Sequence, residues 1–130
     1  IFNAAVADFK VKEINSEKIK KSENLDLKLE KNIDILSNIS NHNSLRPKIT
    51  IGFAAESHNL EINSKRKLDQ KNCDWIIAND ISNKSIGFES EFNEVKILYK
   101  NKKINDEKLY IKKKSEIAEE IVDRVVNELN

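Results

Sequence analysis

The sequence predicts an α/β fold, a three-layer Rossmann-like sandwich on a mostly parallel sheet with an edge hairpin. Two observations predict it. Apolar runs that read as strands buried on both faces alternate with stretches of helical periodicity. The fourth strand-like run instead alternates strictly between apolar and polar residues, and a turn-like stretch joins it to a similar run, which is a hairpin pattern.

The elements follow in order. "IFNAAVAD" (1–8) opens β-prone at Ile1 and Phe2, then turns small at Ala4, Ala5 and Ala7. Residues 10–31 are a connection rich in lysine and glutamate, holding the strand-like "LDLKLE", and read as a charged flap. "NIDILSNIS" (32–40) sets Ile35, Leu36 and Ile39 on one helical face with Asn32 as N-cap. "ITIGFAAE" (49–56) is the second buried strand, "NLEINSKRKLDQKN" (59–72) a polar surface helix anchored by Leu60 and Leu68, and "WIIAND" (75–80) the third strand. "EVKILYK" (94–100), "NKKIND" and "KLYIKKK" make the hairpin. Finally "SEIAEEIVDRVVNELN" (115–130) repeats Ile117, Ile121, Val122, Val125, Val126 and Leu129 at helical spacing, with glutamates in the first turn.

Composition narrows the function classes. The 130 residues amount to one domain, 35% charged and 38% hydrophobic, and no apolar run approaches the ~20 residues of a membrane helix. A net charge of +1 gives no electrostatic footprint for nucleic acid, so neither nucleic acid nor a membrane is expected as partner. The lone Cys73 excludes an internal disulfide and fits a cytoplasmic protein. A start without methionine, inside a strand-like run, leads us to expect part of a longer chain.

The only glycines are Gly52 and Gly87, so no GxGxxG or Walker loop exists and a self-contained dinucleotide site is not expected. His42 and His58 stand far apart without a Cys/His cluster, and Cys73 reads as a small buried side chain. What remains are strand ends and helix starts. In open parallel sheets ligands bind at the carboxyl ends of strands, so residues 3–9, 53–57 and 78–81 should share one rim. Ala4, Ala5, Ala54 and Ala55 there either let a ligand reach the main chain or fill tight sheet–helix contacts. Asp8 could hold a ribose hydroxyl or a magnesium ion, or serve as a turn residue. The N–H groups of Ile33, Asp34 and Ile35, after Asn32, could receive a phosphate. Lys67 and Lys71 are four apart on one helix and repel each other unless an anion lies between them or solvent screens them. Lys18 and Lys20, in "EKIKK", suit a polyphosphate or plain solvation.

"NAAVADF", "EKIKK", "KNIDIL", "RPKITIGFAAES", a lysine-bearing helix, "IIANDIS" and "GFESEFNEV" resemble, in that order, the synthetase domain of the bifunctional coenzyme A biosynthesis flavoprotein, a phosphopantothenate–cysteine ligase joined to a phosphopantothenoylcysteine decarboxylase. The resemblance covers essentially the whole chain, as the C-terminal part of one synthetase domain (1–130). It implies CTP as co-substrate, Mg²⁺, 4'-phosphopantothenate and L-cysteine as substrates, and a homodimer; FMN would belong to a decarboxylase domain outside this chain. It also implies nucleotide contacts from Phe2, Asn3, Ala4, Asp8, Lys18, Ile33, Asp34, Ile35, Leu36, Phe53, Lys67 and Lys71. Asp8 is the metal candidate, and Lys18, on the flap, is the catalytic residue for formation or turnover of an acyl-cytidylate.

Three departures stand out. Ile33 replaces a common proline, the flap between Lys21 and Asn32 looks short, and the first half of the synthetase domain is missing, so the chain alone is expected to be inactive. The alternative is a non-catalytic binding, dimerisation or regulatory module of the same fold. Joint retention of Asp8, Lys18, Lys67 and Lys71 favours the ligase, because a module freed from catalysis has no physical need for separated phosphate ligands.

Overall fold

The computed structural model describes residues 1–4, 6–18, 26–83, 85–87 and 89–130. The elements run β1 (Phe9–Val11), β2 (Leu29–Lys31), α1 (Ile35–Ser40), β3 (Ile51–Glu56), α2 (Leu60–Lys71), β4 (Trp75–Asp80), β5 (Phe92–Tyr99), β6 (Glu107–Lys113) and α3 (Lys114–Leu129). β3, β4, β5 and β6 form one sheet in that order, and β1 and β2 pair as a separate antiparallel ribbon.

Three layers are present. Ile51, Trp75, Ile77, Val95, Ile97, Tyr99 and Leu109 share one face of the sheet with Ile117 and Ile121 of α3. Gly52, Ala54, Ile76, Ala78 and Leu98 alternate onto the other face, where Leu36 of α1 and Leu68 of α2 complete the second core. The helices therefore enclose the sheet from both sides. Trp75 and Tyr99, cross-strand partners on β4 and β5, meet edge to face with centroids 5.1 Å apart. Glu116 accepts from the Lys113 N–H at 2.9 Å and starts α3, as glutamates in its first turn suggested.

The sheet is mixed, not mostly parallel. β3 and β4 are parallel, while β4–β5 and β5–β6 are antiparallel. The reason lies in the connections. A parallel return needs a crossover, which α2 supplies between β3 and β4; the described residues between β4 and β5 hold no helix, and β5 returns antiparallel. The hairpin is as expected, with β6 at the edge.

Among the described residues the expected strand at 1–8 shrinks to one parallel bridge, Phe2 to Gly52, held by the Phe2 N–H donating to the Ile51 carbonyl at 2.8 Å. Asn3 and Ala4, which follow Phe2, are exposed and bury little surface against β3 that would extend the ladder. The chain instead reaches β1, whose ribbon with β2 forms the stem of the charged connection. Lys20 and Leu25, the first residue of "LDLKLE", lie outside the described residues; of the rest of that stretch, Leu29 and Glu30 are in β2.

One network fixes the amino ends of β3 and β4. Arg46 holds both oxygens of Asp74, at 2.9 and 3.0 Å, and Asp74 Oδ2 also accepts from the backbone N–H and hydroxyl of the fully buried Thr50. Among the described residues no helix is long and apolar enough to cross a membrane.

Candidate functional site

Gly52 is where the site begins. A Cβ on it would lie 2.3 Å from Leu36 Cδ2, so the missing side chain is what lets α1 settle on β3. That contact brings the start of α1 next to the first residues of the chain. Asn32 closes the gap: its side-chain amide donates to the Ala7 carbonyl at 2.7 Å and its backbone N–H to the Asp8 carbonyl at 2.8 Å.

Because Asn32 is committed to Ala7, it does not cap α1. Asp34 does, accepting from the Ser37 N–H at 2.9 Å, and the helix begins at Ile35. Ile33 and Asp34 therefore precede the helix. Burial raises the Asp34 pKa, but the Lys71 ammonium and the Ser37 N–H outweigh it and hold the carboxyl below its ordinary value.

Between the N-terminal segment, the start of α1, β3 and α2 lies a cavity of about 860 Å³, within the ~300–1,000 Å³ range of ligand pockets. Its walls include Phe2, Asn3, Ala4, Asp8, Ile33, Asp34, Ile35, Leu36, Phe53, Lys67 and Lys71. Of the residues that the resemblance assigns to the nucleotide, only Lys18 stands apart from it, exposed beyond the β1–β2 stem.

Other expectations about the rim divide. Ala55 and Ala4 line the cavity, whereas Ala54 is buried in the core beneath α1 and α2, as a small residue filling a sheet–helix contact. Ala5 falls outside the described residues. The 78–81 stretch does not reach the cavity; Ala78 is core and Asp80 turns its carboxylate back to the Ser82 N–H.

Lys67 and Lys71 differ from expectation in how their repulsion is relieved. Lys67 Nζ lies 2.6 Å from Glu56 Oε1, and Lys71 pairs with Asp34. Each lysine faces the cavity with its own carboxylate, and no anion between them is needed. Glu56 is the residue that motif reading missed, although its place four residues past Gly52, at the end of β3, put it near α2.

Asp8 is exposed on the cavity wall. Among the described residues no group of three or more histidine, cysteine, aspartate and glutamate side chains could hold a metal ion. A lone carboxylate suits Mg²⁺ only when substrate phosphates supply further oxygens. His42 is structural, its Nδ1 accepting from the Ser44 and Leu45 N–H groups. Burial pushes the Cys73 thiol up to about 11, so it is no nucleophile.

The chain is 40% identical over 124 residues to the coenzyme A biosynthesis bifunctional protein CoaBC of Haemophilus influenzae, covering 95% of this chain and 30% of that protein. It is 46% identical over 122 residues to the protein of the same name from Borreliella burgdorferi, covering 92% and 29%. The chain thus spans about 30% of the length of these relatives. Among solved structures it is similar to the C-terminal domain of a coenzyme A biosynthesis bifunctional protein CoaBC, with a TM-score of 0.67 at 29% identity, covering 97% of this chain and 50% of that one. A DNA/pantothenate metabolism flavoprotein from Streptococcus pneumoniae shares the fold, with a TM-score of 0.64 at 23% identity, covering 97% and 58%. A family model matches residues 1–129, and the chain belongs to that family, the DNA/pantothenate metabolism flavoprotein C-terminal domain.

Proposed function

We propose that this chain forms the nucleotide-holding part of a CTP-dependent phosphopantothenate–cysteine ligase acting in coenzyme A biosynthesis, in a cytoplasmic setting. The observation that carries the reading is the cavity, which gathers eleven of the twelve residues named above for the nucleotide. In the reaction the carboxylate of 4'-phosphopantothenate attacks the α-phosphorus of CTP, pyrophosphate leaves, and an acyl-cytidylate forms. The amine of L-cysteine then displaces CMP and gives the amide.

Such chemistry needs positioning and charge neutralisation more than a protein nucleophile. Phe2 to Ala4 offer main-chain groups to the nucleotide, Phe53 an aromatic face, and Lys67 and Lys71 donors for its phosphates. Asp8 would hold Mg²⁺ together with phosphate oxygens or, alternatively, a ribose hydroxyl; the ion would neutralise phosphate charge. FMN belongs to the separate decarboxylase activity in this reading.

Lys18 acts on the acyl-cytidylate from the flap, within a homodimer. Phe9, Val11 and Leu29 share one face of the β1–β2 ribbon and are exposed. A two-stranded ribbon alone is marginally stable, and its exposed apolar face is the surface that a second copy would cover in the homodimer.

The test is pyrophosphate release by the natural full-length protein with CTP, 4'-phosphopantothenate and L-cysteine. CTP-dependent release is expected, falling by roughly a hundredfold in Lys18→Gln. Unchanged turnover in the variant removes Lys18 from the mechanism. No release by the wild type overturns the ligase in favour of a binding module.

A further inference from the structure

Glu56 does not line the cavity, yet it touches a residue that does. Its side chain is 12% exposed, behind Lys67, and its backbone is fixed at the end of β3, where its carbonyl accepts from the Ile81 N–H at 2.9 Å. Oε2 accepts from Asn63 Nδ2 at 3.2 Å, and that same amide donates to the His58 carbonyl at 3.0 Å. Oε1 is buried; among the described residues it has the Lys67 ammonium at 2.6 Å as its ionic contact and no hydrogen-bonded partner of good geometry.

Asn63 and Lys67 are one turn apart on α2, so Glu56 is gripped by two successive turns of the helix that carries the lysine. A largely buried carboxylate with one oxygen dependent on one cation resists losing that cation, because an uncompensated buried charge is costly. Lys67 cannot swing away from β3 without exposing that cost. An ammonium has three donors, and the ion pair holds the nitrogen beside Glu56 on the cavity wall, where those donors are within reach of a ligand.

We infer that Glu56 is a positioning residue, anchoring Lys67 so that its free donors meet a nucleotide phosphate in the cavity. The inference rests on the CTP reading above and deepens it. It also fixes the sign of a substitution. A carboxylate behind a phosphate site lowers anion affinity by simple Coulomb repulsion, so Glu56→Gln would tighten CTP if charge were its only contribution. If Glu56 positions Lys67, the same change weakens CTP, because the lysine loses its anchor.

The experiment is CTP binding in the presence of Mg²⁺ by titration calorimetry, with KM and kcat, on the natural full-length protein as wild type, Glu56→Gln, Lys67→Gln and the double variant. Glu56→Gln is expected to raise Kd and KM for CTP about tenfold, the scale of a lost charge-assisted hydrogen bond. The KM for L-cysteine should be unchanged. In the Lys67→Gln background the second substitution should add nothing, since Glu56 acts only through Lys67.

Effects on CTP that multiply in the double variant, or tighter binding in Glu56→Gln, overturn the inference while leaving the CTP reading intact. Unchanged CTP affinity in Lys67→Gln overturns the inference too, and removes Lys67 from the phosphate donors while CTP binding itself stands. Absence of CTP binding by the wild type overturns both. Should Glu56→Gln fail to fold, Glu56→Asp applies the same test: it keeps the charge, shortens the reach by one methylene, and should also raise the Kd for CTP, with unchanged affinity overturning the inference.

Discussion

Gly52 and Leu36 are in contact so close that a methyl group on the glycine would lie 2.3 Å from Leu36 Cδ2 and 3.1 Å from Ile76 Cδ1. Leu36 is buried, so it has little room to withdraw. Gly52→Ala should therefore lift α1 from the sheet and cost about 1–3 kcal/mol, the usual range for overpacking. Urea unfolding measures the loss. A variant as stable as the wild type would mean that Leu36 finds another rotamer and that α1 is not fixed by this contact.

The Asp74 network should be the most costly polar feature to break. Asp74→Ala leaves the Arg46 guanidinium without its bidentate partner and the buried Thr50 hydroxyl and N–H without their acceptor. Loss of several such partners predicts about 2–4 kcal/mol of destabilisation. Asp74→Asn, which keeps one acceptor oxygen, should lose less. Equal losses in the two variants would show that the full carboxylate is required and that one remaining acceptor oxygen of the same shape does not sustain the network.

Acid should act through Glu61, on the first turn of α2. Hydrogen bonds from Lys65, then Lys96, hold its carboxyl down to about 2, against an ordinary value of 4.5. The folded state therefore binds this proton less readily than the unfolded state. Its contribution is fully present above about pH 4.5 and is lost as the pH falls toward 2. Between those values the wild type should lose stability more steeply than Glu61→Gln. The group is exposed, so the difference should be small and should collapse in about 1 M salt, where the Debye length is about 3 Å. A difference that survives high salt would point to a cause other than this ion pair.

Much of this was legible in the residues because local rules decided it. β4, α2 and α3 fall almost where their patterns put them, since each has either an unbroken apolar run or helical spacing with strong ends. The mixed sheet was not legible. Strand direction depends on whether a connection carries a crossover, and the stretch before β5 had to be seen without a helix to settle it. Capping was ambiguous for a similar reason. Asn32 and Asp34 are both good caps, and only the distant Ala7 carbonyl decides between them. Glu56 was invisible as a partner of Lys67 because the pair joins a strand end to a helix across eleven positions, a relation that no periodicity reports.

Asp34 offers the sharpest contrast with Glu56. Both carboxylates pair with a cavity lysine, but Asp34 lines the cavity itself, is more exposed, and also caps α1. If the cavity takes CTP as proposed, Asp34 would compete with a phosphate for Lys71 and repel that phosphate directly. Asp34→Asn removes the charge while asparagine still caps well, so stability should stay within about 0.5 kcal/mol of the wild type. CTP should bind more tightly, by roughly two- to tenfold, the usual scale of a partly screened unit charge. Asp34→Ala, which also removes the cap, should gain the same affinity but lose about 1 kcal/mol of stability. Calorimetry with CTP and Mg²⁺, paired with urea unfolding, separates the two effects. Weaker CTP binding by Asp34→Asn would mean that Lys71, like Lys67, depends on its carboxylate for placement, and that the cavity holds two anchored lysines rather than one anchored and one displaceable.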